Sequence, residues 1–100
     1  MIVTIVTYPA KPIDADAQRE LLERVAPRFQ TIPGLVRKYF IRDGQQGGGV
    51  YVWQNRASAE AYLDDAWSQR MAENYGGVPQ VAYFDCPALV DNQRHAIDFF

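Results

Sequence analysis

The feature that most constrains this chain is a set of predicted strands with apolar side chains on both faces. Residues 2–8 (IVTIVTY) are β-branched or aromatic throughout, which favours a strand, and Pro9 ends it because proline cannot keep donating to a sheet. A sheet that is wet on one side should alternate apolar and polar residues, yet residues 50–53 (VYVW) are all apolar. Both faces of the sheet must therefore be covered.

Three further segments are predicted to be strands. Residues 35–43 (LVRKYFIRD) and 48–54 (GGVYVWQ) are joined by a glycine-containing turn at 44–47, because glycine tolerates positive φ, and they are expected to form a hairpin. The last strand is predicted at residues 80–86 (QVAYFDC), before Pro87.

Two helices are predicted between these strands. The first is capped by Asp14 or Asp16 and ends before Pro33, with a kink or break expected at 23–27 because Pro27 removes a helical hydrogen bond at a cost of about 3 kcal/mol. The second begins after Asn55 or Ser58 and ends at the glycines 76–77. Its apolar residues recur at helical spacing: Tyr62, Leu63, Ala66, Trp67 and Met71.

The resulting order, β-α-β-β-α-β over residues 1–87, predicts a ferredoxin-like α+β domain, an antiparallel sheet with two helices on one face. Helices cover only one face, and the other would expose a larger apolar patch than soluble monomers tolerate, so a homodimer through that face is expected. Residues 88–100 form a tail that is either a short docked helix or an arm on the partner subunit. The tail could instead cover the open face itself, although thirteen mostly polar residues are too few.

Charge and composition exclude several classes of function. Ten basic and twelve acidic residues give a net charge of -2, without a basic run longer than 37–38, which argues against nucleic acid as a partner. No segment approaches the roughly 20 apolar residues that span a membrane. A lone Cys86 and the lack of a signal-like opening favour a cytoplasmic location. No Cys-x-x-Cys, paired histidines or phosphate loop is present, so neither metal nor other cofactor is expected.

Three segments resemble a known family. They are IPGLVRKYF (32–40), GGGVYVWQNRASAEAYL (47–63) and VAYFDCP (81–87), and in this order they are similar to the YdhR-type monooxygenases of the dimeric α/β-barrel superfamily, which also holds the antibiotic-biosynthesis monooxygenases. The resemblance implies a homodimeric barrel with a small pocket between sheet and helices in each subunit. It also implies oxidation of phenolic or anthrone-like aromatics by molecular oxygen without metal, flavin or haem.

One position departs from the wider superfamily. Many members carry a histidine on the second helix where Trp67 stands here, and the haem-degrading branch needs it as an iron ligand. The only histidine of this chain, His95, lies in the tail. The departure disfavours haem degradation.

Two residues are candidates for the chemistry of such a site. Lys38, in the middle of a strand, could stabilise a substrate enolate or phenolate, and Tyr62 could orient a polar group of the substrate with its hydroxyl. Each has a structural alternative, since Lys38 could extend to water or to Asp85, and Tyr62 could fill the core.

Four more residues are candidates for substrate binding. Trp53 could stack on a planar compound, and Trp67 could line the pocket and orient a polar group of the ligand with its indole N–H. Tyr83 could offer a second phenol, and Arg70 could receive a carboxylate. Their alternatives are core packing for the tryptophans, a dimer interface for Tyr83 and ordinary solvation for Arg70.

Two hypotheses of function follow. The first is a cofactor-independent monooxygenase acting on a small aromatic or polyketide-like compound. The second is a non-catalytic dimer that binds a hydrophobic small molecule, or a lactone-isomerase-like enzyme on the same fold. A general base near neutral pH would normally be histidine, and because the body of the domain has none, proton abstraction would fall to tyrosine, lysine or a buried carboxylate.

Overall fold

The sheet of the computed structural model, which describes residues 1–100, is four-stranded and antiparallel. Its strands lie in the order β2-β3-β1-β4. They are β1 (Ile2–Pro9), β2 (Leu35–Asp43), β3 (Gln46–Trp53) and β4 (Gln80–Asp85). All four predicted strands and the predicted hairpin are confirmed, with a tighter β2–β3 turn than expected, at residues 44–45.

The first helix starts and breaks where the sequence predicts. α1 (Ala15–Val25) is capped by the Asp14 carboxylate, which accepts a hydrogen bond from the backbone N–H of Ala17 at 2.9 Å. The chain then continues as a 3-10 helix, Ala26–Thr31, with Pro27 in its first turn. Proline is accommodated there because the first turn of a helix needs no N–H donor from it.

The predicted second helix is wrong as one continuous element, because it is divided into α2 (Arg56–Tyr62) and α3 (Asp65–Tyr75). Leu63 leaves the helical region with ψ 55°, and the Asp64 side chain caps the new helix by accepting from the Trp67 N–H at 2.8 Å. α3 ends as predicted at Gly76, which has a φ of 77°. None of these helices combines the length and apolar character that a membrane span requires.

The tail is a second, two-stranded sheet, so the expectation of a short docked helix is wrong. β5 (Ala88–Asp91) pairs antiparallel with β6 (Ala96–Phe99). The Asp91 carboxylate holds the turn by accepting from the backbone N–H of Gln93 and Arg94, which favours a turn over a helix. One face of this hairpin is apolar and exposed, and its Phe99 is 81% accessible.

The core lies on one face of the sheet, as predicted. Alternate residues of β1 and β3 point to the helices and are buried, and they pack against Ala59 and Trp67: Ile2, Thr4, Val6, Tyr51 and Trp53. The opposite face has no helix over it. Its apolar side chains stay accessible in the single chain, and Phe84 is 53% exposed.

Candidate functional site

One row of side chains crosses the helix-facing side of the sheet. The strand register places Lys38 beside Tyr51, Tyr51 beside Thr4, and Thr4 beside Tyr83. Lys38 and Tyr83 are thus on opposite edge strands, separated by three strand spacings, about 14 Å. The structure does not bring these two candidates into one pocket.

The Lys38 ammonium is surrounded by aromatic rings. Its Nζ lies 3.4 Å from the ring centroid of Phe29, 4.1 Å from that of Phe40 and 4.6 Å from that of Tyr51. We call these three rings the aromatic cage. No carboxylate pairs with Lys38, because every ion pair of the structure uses arginine, and Asp85 lies on the far edge strand. Of the two structural alternatives for this lysine, a pairing with Asp85 is therefore not seen, whereas the half-buried side chain still leaves water accessible beside the ammonium.

Burial and the aromatic cage change the pKa of Lys38 in opposite directions. Removal from water lowers the pKa of Lys38 to about 7 because desolvation penalises the charged form. The negative faces of three rings favour the ammonium and offset part of that penalty. Burial also raises the pKa of the Tyr51 phenol, which stays neutral beside it. With a pKa of about 7, Lys38 offers the body of the domain, which has no histidine, a group that exchanges its proton near neutral pH.

A cavity of about 390 Å³ adjoins Lys38 between β2 and the 3-10 helix. Its walls are mostly apolar: Ala26, Phe29, Gln30, Leu35, Val36 and Phe40, with Lys38 itself. This volume is at the lower end of the range for small-molecule sites. The caged amine therefore borders a space suited to a one- or two-ring compound.

Tyr62 joins the cage from the end of α2. Its ring centroid lies 6.3 Å from both Phe29 and Tyr51, so one continuous aromatic cluster connects it to Lys38. Burial raises the pKa of the Tyr62 hydroxyl, and the nearby Arg70 guanidinium lowers it, which places this exposed arginine within electrostatic reach.

Neither Tyr62 nor Arg70 lines the cavity beside Lys38, and Tyr62 instead borders a separate cavity of about 560 Å³ with Pro33 and Asn55. The structure thus connects Tyr62 to Lys38 only through the aromatic cluster, and Arg70 to Tyr62 only electrostatically.

Trp53 and Trp67 lie in the core. Trp53 is 0% exposed, its indole N–H donates to Thr4 Oγ1 at 3.0 Å, and its ring stacks on Tyr51 at a centroid distance of 5.6 Å. Trp67 is 5% exposed. Neither borders the cavity beside Lys38. This placement corresponds to the structural alternative for both tryptophans.

Tyr83 has a separate environment. The guanidinium of Arg56 lies 4.6 Å over its ring, and that arginine also pairs with Glu60 at 2.8 Å. Tyr83 therefore lies beside a surface ion pair on the helix-facing side of β4, and not on the open face where a dimer interface was the alternative.

The sequence from residue 5 to residue 86 matches the family described as "Putative mono-oxygenase ydhR". The chain belongs to this family. No curated protein matches its sequence.

Solved structures with the same fold include proteins described as oxygenases. A "putative antibiotic biosynthesis monooxygenase" from Deinococcus radiodurans is 13% identical, with a TM-score of 0.65 over 91% of this chain and 97% of that one. SnoaB, a cofactor-independent oxygenase from Streptomyces nogalater, solved as a point mutant, is 18% identical, with a TM-score of 0.54 over 85% and 92%.

The monooxygenase from the gene ActVA-Orf6 of Streptomyces coelicolor, in complex with nanaomycin D, is also 18% identical, with a TM-score of 0.53 over 85% and 86%. At these identities the likeness establishes the ferredoxin-like α+β fold of this member of the ydhR family.

Sequence reasoning missed the aromatic cage of this ydhR-family chain. Phe40 and Tyr51 carried a usable signal, since Phe40 is two residues from Lys38 on β2 and Tyr51 is its cross-strand neighbour. No sequence signal places Phe29 beside Lys38. Its spacing fits the apolar stripe of an α-helix, whereas its side chain is oriented toward Lys38 by the 3-10 helix that contains Pro27. Gly49 also contributes, because a Cβ there would lie 2.9 Å from Lys38 Cε.

Proposed function

We propose that this protein is a cofactor-independent monooxygenase that oxidises a small aromatic or polyketide-like compound with molecular oxygen. Membership of the ydhR family supports the reaction class. The observation that carries the proposal is the Lys38 ammonium, unpaired and enclosed by three rings beside a small apolar cavity. Two proteins of the same fold support the proposal by their descriptions, one as a cofactor-independent oxygenase and the other as a monooxygenase in complex with nanaomycin D.

Lys38 acts first as a base and then as a cation. Its neutral amine takes a proton from a phenol or from the activated CH₂ of an anthrone, and the ammonium formed stabilises the resulting anion. That anion gives one electron to oxygen, the substrate radical and superoxide combine into a peroxide anion, and the Lys38 ammonium returns its proton to give the hydroperoxide. Loss of water leaves the carbonyl, so CH₂ and O₂ become C=O and H₂O. The protein supplies binding, proton transfer and exclusion of water.

Tyr62 and Arg70 orient the substrate at this site. The Tyr62 hydroxyl lies on the same aromatic cluster as Lys38 and can donate to a carbonyl or phenolate oxygen. Arg70, within electrostatic reach of Tyr62 but outside the cavity lining, would receive an anionic group of a substrate that extends past Tyr62. Trp53 supports the site from behind by stacking on Tyr51, Trp67 belongs to the same buried core, and Tyr83 on the far edge strand takes no part in this proposal.

Oxygen uptake should depend on pH through Lys38. With metal-free protein and a panel of anthrones and hydroquinones, we expect one oxygen consumed per anthrone oxidised. The base form of Lys38 grows as pH rises, so kcat/KM should increase and level off above about 7, the pKa of Lys38. An oxygen electrode measures both quantities. The proposal would be contradicted if no compound of the panel caused oxygen consumption, or if kcat/KM did not rise with pH up to about 7.

We further propose that the open sheet face joins two copies of the chain, with the apolar face of the C-terminal hairpin against the partner. Light scattering should give about twice the 11.4 kDa chain mass at micromolar concentration. Phe84→Glu, on the open face, should yield monomers because it would bury an unpaired charge. Val78→Glu is the matched control, since Val78 is 72% exposed in the loop before β4. A monomeric parent protein would refute the dimer.

A further inference from the structure

Lys38 has the surroundings of a nucleophilic amine. A lysine reacts with a carbonyl only as the neutral amine, and desolvation by apolar walls is one of the means by which proteins make that form available. Here the rings of the aromatic cage keep much of the water from the nitrogen, and although their faces also attract the ammonium, no carboxylate pairs with it to hold the proton more firmly. Of the three rings of the cage only that of Tyr51 is titratable, and burial raises the pKa of its phenol so that it stays neutral.

The space beside Lys38 fits an aromatic carbonyl compound. The cavity of about 390 Å³ is walled by Phe29, Phe40 and aliphatic side chains, and Gln30 is its one uncharged polar residue. A flat ring can pack against the phenylalanines while its carbonyl carbon meets the amine. Charged aldehydes, such as sugar phosphates, would find no cation other than the reacting lysine among the lining residues.

We propose that Lys38 forms a reversible Schiff base with small aromatic aldehydes or ketones that enter this cavity. The amine nitrogen attacks the carbonyl carbon, and the carbonyl oxygen leaves as water after accepting two protons. The net change is Lys–NH₂ and R–CHO to Lys–N=CH–R and H₂O, with no change of oxidation state. This reactivity goes beyond the proposed oxygenase, since it uses the same amine without oxygen.

The chain offers an internal control, because Lys11 is its only other lysine. Lys11 is exposed in the segment between β1 and α1 and has no ring over its ammonium. The full chain is incubated with benzaldehyde and cyanoborohydride near neutral pH under argon, so that the reductant traps any imine as a benzylamine. Peptide mass mapping then gives the labelled fraction at Lys38, at Lys11 and at the N-terminal amine.

We expect Lys38 to be labelled at least about tenfold faster than Lys11, and the preference to disappear in guanidinium, where no cavity exists. Lys38→Arg should abolish the fast label, whereas Lys11→Arg should leave it unchanged. Labelling of Lys38 at or below the rate of Lys11 in the folded chain would overturn the proposal, because the cage would then shield the amine.

If Lys38→Arg fails to fold, the peptide map of the parent chain still tests the proposal, because it compares labelling at Lys38 with labelling at Lys11 in the same folded molecule. Because labelling is read by mass and without oxygen, its outcome is independent of whether the protein proves to be an oxygenase.

Discussion

Replacing Lys38 by methionine is expected to lower kcat/KM for oxygen-dependent turnover by about 100- to 10,000-fold, the usual contribution of a positioned general base. Methionine keeps the unbranched stem that crosses Gly49 and contacts the cage, and it removes only the amine. The substrate would then have to lose its proton to water, and its anion would face three rings without a cation. The measurement is single-substrate oxygen-uptake kinetics.

Stability separates this effect from unfolding. The pKa of Lys38 is about 7 in the folded chain, against about 10.4 for an unperturbed lysine, so the unfolded state binds more protons between these values. Folding stability therefore rises with pH across this window in the parent chain, and the contribution is lost in Lys38→Met. At neutral pH the variant should melt no lower than the parent, because it no longer buries an ammonium.

Lys38→Arg distinguishes the two roles of the residue. Arginine keeps a cation near the cage but cannot deprotonate at the pH of the assay. If Lys38 only stabilises an anion, Lys38→Arg should retain much of the turnover. If Lys38 is also the base, Lys38→Arg should be far slower than the parent chain, and slower still should be Lys38→Met, which loses both the base and the cation. Full turnover by Lys38→Met would show that the site lies elsewhere.

The parts of this fold that local pattern determines could be predicted from the sequence. β1 is uniformly β-branched or aromatic, Asp14 has the position of a helix cap, and Pro27 interrupts an otherwise helical stripe. Consecutive apolar residues on β3 required cover on both faces, and the helices cover only one of them. These signals depend on residues close in sequence.

The rest depended on competition between local signals or on distant contacts. The spacing of Leu63, Trp67 and Met71 favours one continuous helix. The break before α3 is nevertheless tolerated, because the Asp64 carboxylate accepts the hydrogen bond of the Trp67 N–H, which would otherwise lack a partner at the start of a new helix. In the tail, the Asp91 side chain favours a turn by accepting from the backbone N–H of Gln93, a local signal that the expectation of a short helix leaves out. Lys38 could be named from its strand, but its cage depends on the direction in which a 3-10 turn holds Phe29.

Trp53→Ala is expected to cost about 3 to 5 kcal/mol of folding free energy from the cavity alone. The indole is 0% exposed. Its loss also leaves the equally buried Thr4 hydroxyl without the hydrogen bond that it accepts from the Trp53 indole N–H. An unsatisfied buried group adds about 1 to 3 kcal/mol. Because domains of this size have only about 5 to 15 kcal/mol in total, much of the variant should be unfolded at room temperature. Urea denaturation followed by circular dichroism measures the loss.

Two milder variants separate the hydrogen-bond contribution of Trp53 to the folding free energy from its packing contribution. They also test whether Trp53 holds the Tyr51 ring in place beside Lys38. Trp53→Phe keeps most of the ring but removes the N–H, and Thr4→Val removes the acceptor, so their double-mutant cycle isolates the hydrogen bond. Since Trp53 stacks on Tyr51 with an interplanar angle of 5°, Trp53→Phe should leave a folded chain whose Tyr51 ring is less firmly held against Lys38. A loss below about 1 kcal/mol in Trp53→Ala would mean that the indole can leave the core, and would restore it as a substrate-binding residue.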